Sequence, residues 1–367
     1  MKVECIVEKL SKNVLQAERV AGKNHSLAVI NCILLEATKD GLVIRSTNLD
    51  LGIEIVMPVK TISEGKVAIP SGILGTFLSS LGSDKTVTLE LKENNLVVST
   101  AKNSTIIKTH PSEDFPTIPS VLGEKSFKIN PKDFVRGLKS VWYSAAVSSI
   151  KSELSSVYVY CDDEDNIIFV ATDSFRLAEK KIKAKKIQDF TSLLIPFKNI
   201  PEIIRVLEGM DGDVTVNLEK NQIAFNLENV YLTSRVIDGV FPDYKQIIPK
   251  EYATEVVMLK QDFANSLKIS NIFSNKLNQI NVKALPSKKM FQVQTKNSDI
   301  GENTNTIDAV FSGEDVDMNF NYKYIIDCLQ SIESDSISLS FNGQSRPVVI
   351  RGVSDKSFLY LVMPMNR

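Results

Sequence analysis

One pattern is written three times along this chain, and it constrains the fold more than any other feature. The stretches KVAIPSGILGTFLSSL from Lys66, SLLIPFKNIPEIIRVLE from Ser192 and DVDMNFNYKYIIDCLQSI from Asp315 each run a short apolar strand into a segment of helical period. Ile73, Leu74, Phe77, Leu78 and Leu81 mark the first helix; Ile200, Ile203, Ile204 and Leu207 the second; Ile325, Ile326, Leu329 and Ile332 the third. Spacings of three and four put each set on one helical face. Apolar alternation of period two follows every helix. It breaks at Glu93-Asn94-Asn95, at Lys220-Asn221 and at Asn342-Gly343, then resumes, the signature of antiparallel hairpins. The units close on Phe115-Pro116, Phe241-Pro242 and Met363-Pro364.

The front of each unit repeats as well. Amphipathic helices are expected over roughly 8–20, 131–146 and 260–273. Asn130 suits the N-cap of the second and Pro131 its first turn, with Phe134, Leu138, Val141, Trp142 and Ala145 as the buried stripe. Strand signals follow, each reaching a threonine: Thr47, Thr172 and Thr295. The reading is an α+β protein of three repeated domains, 1–123, 124–250 and 251–367, each with two helices packed on antiparallel sheet.

A tripled unit with no shared catalytic constellation reads as an architecture, not an enzyme. The 43 Lys and Arg nearly balance the 44 Asp and Glu, so no basic arm or acidic tail is present. Cys5, Cys32, Cys161 and Cys328 are scattered, and His25 and His110 are the only histidines, which argues against disulfides and a metal site; neither G-x-x-x-x-G-K-[ST] nor G-x-G-x-x-G occurs, so no nucleotide cradle and no cofactor are expected. The opening MKVECIVEKL lacks the unbroken apolar stretch of a signal peptide, and no run is long enough to span a membrane, so a cytoplasmic protein is expected. Ser148 and Lys151 share the S-x-x-K spacing of penicillin-binding enzymes without the other motifs of that class. The acidic run Asp162-Asp163-Glu164-Asp165 reads as a solvated hairpin turn, and Lys180, Lys181, Lys183, Lys185 and Lys186 as lysines guarding a strand edge. The expected helices carry eleven basic against seven acidic side chains, a surface of modest positive charge if they share one side.

ATDSFRLA at 171–178, DGVFPDYKQIIPK at 238–250, YLVMPM at 360–365, LKQDFA at 259–264 and SEDFP at 112–116, in this order, resemble the bacterial sliding clamps, the beta subunits of DNA polymerase III. The resemblance spans the chain. It implies a homodimer closed head to tail into a ring of six domains, threaded by duplex DNA held without sequence readout. It also implies a hydrophobic cleft for short peptides of the replicative polymerase and clamp loader. Carried over by position, that cleft comprises Leu154, Thr172, Phe175, Arg176, Leu177, Pro242, Ile247, Pro347, Leu361, Val362, Met363, Pro364 and Met365. Lys12, Arg136, Lys139, Lys198 and Arg205 are the expected DNA-facing cations, and Ile107 and Ile269 the expected subunit contacts.

The chain departs from the family pattern in three places. Thr-Asp-Gly-His-Arg becomes Thr172-Asp173-Ser174-Phe175-Arg176, which loses a glycine and makes a polar wall apolar. The tail ends Asn366-Arg367, where the family has an arginine followed by one apolar residue. The first-domain motif that supplies a DNA-facing arginine reads Asn24-His25-Ser26-Leu27-Ala28-Val29, leaving Lys23 as its substitute. Two other readings stand beside this one: a monomeric three-domain binding scaffold that never encircles DNA, and a hydrolase using Ser148 and Lys151.

Overall fold

The computed structural model describes residues 1–22, 28–82, 84–121, 123, 125–147, 150–184, 190 and 192–365. Lys23 and the Asn24–Leu27 motif with His25, Ser148, Lys185, Lys186, Asn366 and Arg367 lie outside the described residues. The helices α1 (Val7–Val20), α2 (Ile73–Ser79), α3 (Pro131–Val141), α4 (Ile200–Glu208), α5 (Lys260–Ile272) and α6 (Tyr322–Leu329) stand where the spacings placed them. Asn130 Oδ1 accepts from the Lys132 N–H at 2.9 Å, and Asn321 Oδ1 from the Lys323 N–H at 3.0 Å, each satisfying an end donor of its helix. The second long helix is shorter than its periodicity suggests. After Val141 the chain tightens into a 3₁₀ turn, Trp142–Ser144, where a Val-Trp-Tyr run gives little helical preference. The Tyr143 carbonyl is there taken up by an arginine side chain.

The chain packs as two compact units that divide the central repeat between them: Met1–Lys132 with Lys198–Val236, and Asp133–Phe197 with Ile237–Arg367. The reason is strand pairing that runs from repeat to repeat. In the first unit an eight-stranded antiparallel sheet joins Val230–Arg235, the last strand of the middle repeat, to Leu51–Met57 of the first. Leu232 sits opposite Ile53 and Thr233 opposite Gly52. In the second unit a nine-stranded sheet joins Phe358–Val362, the last strand of the final repeat, to Arg176–Lys183 of the middle one, with Leu177 opposite Leu361. Each unit carries a second sheet ending on an open edge: Ser104–Lys108 closes a five-stranded sheet in the first, and Gly301–Ile307 a four-stranded sheet in the second.

Helix α1 buries Val7, Leu10, Val14, Ala17 and Val20 in the first unit, where it packs on α2 and α4. In the second, α3 sets Phe134 edge-on to Phe169 at 5.2 Å between ring centres. Gly137 lets the helix close on that ring, since a Cβ there would lie 2.3 Å from it. Lys180, Lys181 and Lys183 do not guard an edge. Arg176–Lys183 is an interior strand, and Lys180 is 1% exposed, its Nζ 3.3 Å from Asp355 and 3.7 Å from Glu333. Alternation directs Lys180 to the helix-covered face, where those carboxylates offset the cost of burying its charge. The acidic run is a hairpin turn, with Asp162 Oδ1 accepting from the Glu164 and Asn166 N–H groups at 3.0 and 2.9 Å.

The far face of the nine-stranded sheet is covered by the segment that follows the middle repeat. Phe241 stacks on Tyr158 at 4.9 Å and Tyr244 sinks among Ile168, Val170, Leu177, Leu359 and Leu361. The Tyr244 hydroxyl donates to Glu179 at 2.5 Å; burial, with that carboxylate beside it, pushes the phenol well above its ordinary value. Anchored so, the segment brings Gln246, Ile247, Ile248 and Pro249 to the end of the sheet.

Candidate binding groove

A turn that occurs twice builds one wall of the groove. Thr172 Oγ1 donates to the Arg176 carbonyl at 2.7 Å and accepts from the Ser174 N–H at 3.2 Å. Asp173 Oδ1 accepts from the Phe175 and Arg176 N–H groups at 2.9 and 3.0 Å. In the first repeat Thr47 and Asn48 hold Leu49, Asp50 and Leu51 by the same bonds. The third residue of both turns is left-handed, φ 75° at Leu49 and 78° at Ser174. Positive φ carries strain for any side chain with a Cβ. Ser174→Gly is therefore expected to stabilise the protein by about 0.5–1 kcal/mol, read as a higher urea midpoint. A lower midpoint would mean that the serine side chain contributes more than its backbone strain costs.

Two adjoining chambers open here, with volumes of about 460 and 470 Å³. The first is lined by Thr172, Phe175, Arg176, Leu177, Ile247, Pro347, Leu361 and Met363 of the expected set, the second by Phe175, Met363, Pro364 and Met365. Ser174, Phe175 and Met363 belong to both and form the ridge between them. The C-terminal segment is pinned across the ridge by two backbone bonds of 2.8 Å, from the Met363 N–H to the Phe175 carbonyl and from the Met365 N–H to that of Asn319. Three expected residues do not line the chambers. Leu154 and Val362 are buried, Val362 because alternation turns it to the opposite face from Leu361, and Pro242 is exposed outside the lining.

Sequence reasoning missed Ser345, Arg346 and Asn342, which read only as a hairpin loop, and Asn321 and Tyr324 at the start of α6. Gln246, Ile248 and Pro249 lay inside the quoted segment 238–250 and could have been carried over.

Arg176 ties the wall down. Its guanidinium donates to Asp173 at 3.0 Å, to Asp327 of α6 at 2.8 Å and to the Tyr143 carbonyl at 2.6 Å, and it lies 4.5 Å from the Tyr324 ring centre. Burial works against its charge, but the surrounding acidic and phenolic groups outweigh that and raise its pKa further.

The expected DNA-facing residues Lys12, Arg136, Lys139, Lys198 and Arg205 are all exposed. Three are partly neutralised: Arg136 by Asp133 at 2.9 Å, Arg205 by Glu202 at 2.6 Å and Lys198 by Asp50 at 2.5 Å. The two expected subunit contacts divide. Ile269 on α5 is 44% exposed, but Ile107 is 3% exposed, facing its own core beside Leu96. The exposed isoleucines near the open ends are instead Ile106 on the edge strand Ser104–Lys108 and Ile73 on α2 in the first unit, and Ile269, Ile272 and Ile300 in the second. Among the described residues no helix is long and apolar enough to cross a membrane.

Repeated α+β domains joined sheet to sheet, with an apolar groove at one junction, are the build of a binding and tethering protein. Models of the DNA polymerase III beta subunit match the chain in order: the N-terminal domain over residues 1–119, the central domain over 128–243 and the C-terminal domain over 245–366. The chain belongs to the DNA polymerase III beta subunit family, the sliding clamps, which act as processivity factors in DNA replication and are not enzymes. It is 28% identical to the beta sliding clamp of Rickettsia bellii over 95% of each chain, and 26% identical to that of Haemophilus influenzae over 98% of each. Its fold is shared with the sliding clamp of Bacillus subtilis, TM-score 0.94 at 22% identity over 100% and 99% of the two chains. The DNA polymerase III beta subunit of Thermotoga maritima gives 0.92 at 24% over the same shares. Family membership disposes of the hydrolase reading of Ser148 and Lys151.

Proposed function

We propose that two copies of this chain join head to tail into a closed ring around duplex DNA, and that the groove tethers the replicative polymerase and clamp-loader subunits by short peptides. The observation that carries the ring is an unmatched strand pair. Leu51–Met57, Arg176–Lys183 and Gly301–Ile307 occupy the same place in successive repeats, and Ser104–Lys108, Val230–Arg235 and Phe358–Val362 are the last strands of theirs. Two of the three possible junctions form within the chain. The third would join the open edge of Gly301–Ile307 to that of Ser104–Lys108 in a second copy. Such a heterologous contact closes after two chains if the junctions share one rotation. The exposed Ile73 and Ile106 on one side and Ile269, Ile272 and Ile300 on the other give this junction an apolar contact.

On this reading the domains are 1–123, 124–250 and 251–367, which the extents of the three family matches support. Lys12, Arg136, Lys139, Lys198 and Arg205 face the DNA. The partial neutralisation of Arg136, Lys198 and Arg205 suits a ring that slides, because topology and not affinity keeps it on the duplex. Thr172, Phe175, Arg176, Leu177, Ile247, Pro347, Leu361, Met363, Pro364 and Met365 hold the peptide. The protein works in the cytoplasm.

The test is retention on circular DNA after loading by a matching clamp loader. Persistence on the closed circle with release when it is cut is the expected result. Equal retention on both forms would instead favour the monomeric scaffold.

A further inference from the structure

The first chamber carries a charge for which its own lining provides no counterpart. Its floor is apolar, Leu177 and Leu361 lying side by side on neighbouring strands, with Ile247 and Pro347 as walls. Two arginines line it and no carboxylate does. The guanidinium of Arg176 is committed to Asp173, Asp327 and the Tyr143 carbonyl. Arg346 is exposed on the loop before Val348–Gly352 and makes no ion pair among the described residues. The second chamber, lined by Asn321, Tyr324, Pro364 and Met365 beyond the shared ridge, holds no charged side chain. A cation at the rim of an apolar pocket interacts more strongly with an anion than one in open water, because low-dielectric walls replace part of the solvent.

We infer that Arg346 is a specificity-determining residue, pairing with a carboxylate of the peptide that fills the first chamber. The inference rests on reading the groove as the peptide site. The preferred ligand is then an extended segment with an Asp or Glu near its apolar anchor, the anchor on Leu177 and Leu361 and a second apolar residue beyond the Phe175–Met363 ridge. Arg346 offers a forked pair of donors that matches a carboxylate, and Gln246, Asn342 and Ser345 on the same lining supply neutral partners for the peptide backbone.

The full-length protein would be titrated with three fluorescein-labelled pentapeptides, Gln-x-x-Leu-Phe, whose central pair is Asp-Ser, Ser-Asp or Ser-Ser. One acidic peptide is expected to bind about three- to tenfold more tightly than Ser-Ser, the range of a solvent-accessible to half-shielded ion pair, and to lose that advantage in high salt. In Arg346→Gln the ratio of acidic to Ser-Ser affinity falls to about one, whatever becomes of Ser-Ser binding itself, and in Arg346→Glu the order reverses. An unchanged ratio in Arg346→Gln, or no acidic preference in the unmodified protein, overturns the assignment. Met363→Ala separates this from failure of the groove itself. If it weakens all three peptides while Arg346→Gln changes nothing, only the role of Arg346 falls. If it leaves all three unaffected, the peptide site lies elsewhere and both readings fall.

Discussion

Ile73→Asp is expected to leave a chain that sediments at 40.8 kDa where the unmodified protein runs at twice that mass, with Ile269→Asp doing the same. Both side chains are exposed in the single chain, 50% for Ile73 on α2 and 44% for Ile269 on α5, so a charge at either place leaves the domain core intact. Within the first unit α1 of one repeat packs on α4 of the next. Within the second, Ser331 just beyond α6 donates to the Ser140 carbonyl of α3 at 3.1 Å. Helices α5 and α2 are the remaining pair of this kind. Ring symmetry puts one substitution into both interfaces. A buried unpaired carboxylate costs about 2 kcal/mol or more at each, so the dimer should weaken at least about a thousandfold.

Mixing the two variants gives the decisive result. Each retains one undamaged end, and a head-to-tail contact needs the α5 end of one chain and the α2 end of the other. Ile73→Asp and Ile269→Asp together should therefore form a dimer through a single intact junction, while each alone stays monomeric. Failure of the mixture to dimerise, with each variant folded, would count against head-to-tail closure.

The second large effect is expected at Arg176. Arg176→Ala removes the donor shared by Asp173, Asp327 and the Tyr143 carbonyl, and with it the link between the groove wall, α6 and the 3₁₀ turn after α3. Asp173 is little exposed, so the change leaves a poorly solvated carboxylate and a carbonyl without their donor. The loss should be about 2–4 kcal/mol, seen as a lower urea midpoint. Peptide affinity should fall by about tenfold or more as the Ser174–Phe175 wall loses its anchor. Arg176→Lys is expected to recover little of either, since one ammonium cannot reach three acceptors spread around a planar fork. Unchanged stability would mean that the turn is held by the Thr172 and Asp173 bonds to the backbone alone.

How much of this was legible in the sequence differs from element to element. All six helices follow from apolar residues at spacings of three and four, because burying a stripe against a sheet demands that spacing whatever the sheet's order. The hairpins follow from alternation and from their Asn-containing turns. Even the wall of the groove was foreshadowed, since Thr47 and Thr172 end strands in equivalent places and hold the same turn. The depth of a side chain was less legible. Lys180 reads as an edge lysine until the strand is seen between two others, and Ile107 reads as a surface contact until its side chain is found facing Leu96.

The amino-acid sequence by itself determined the three α+β units, their helices and hairpins, and the family, because periodicity and turn chemistry are local properties of the chain. Tertiary structure alone decided which strands meet across the repeats, and so why the middle unit is divided between two compact bodies. It also decided which residues line the groove. Ser345, Arg346, Asn321 and Tyr324 come to it from hairpin and helix ends remote in the chain from Thr172–Leu177. Pairing between distant strands depends on which edges are left open after each unit has folded, and no local pattern encodes that.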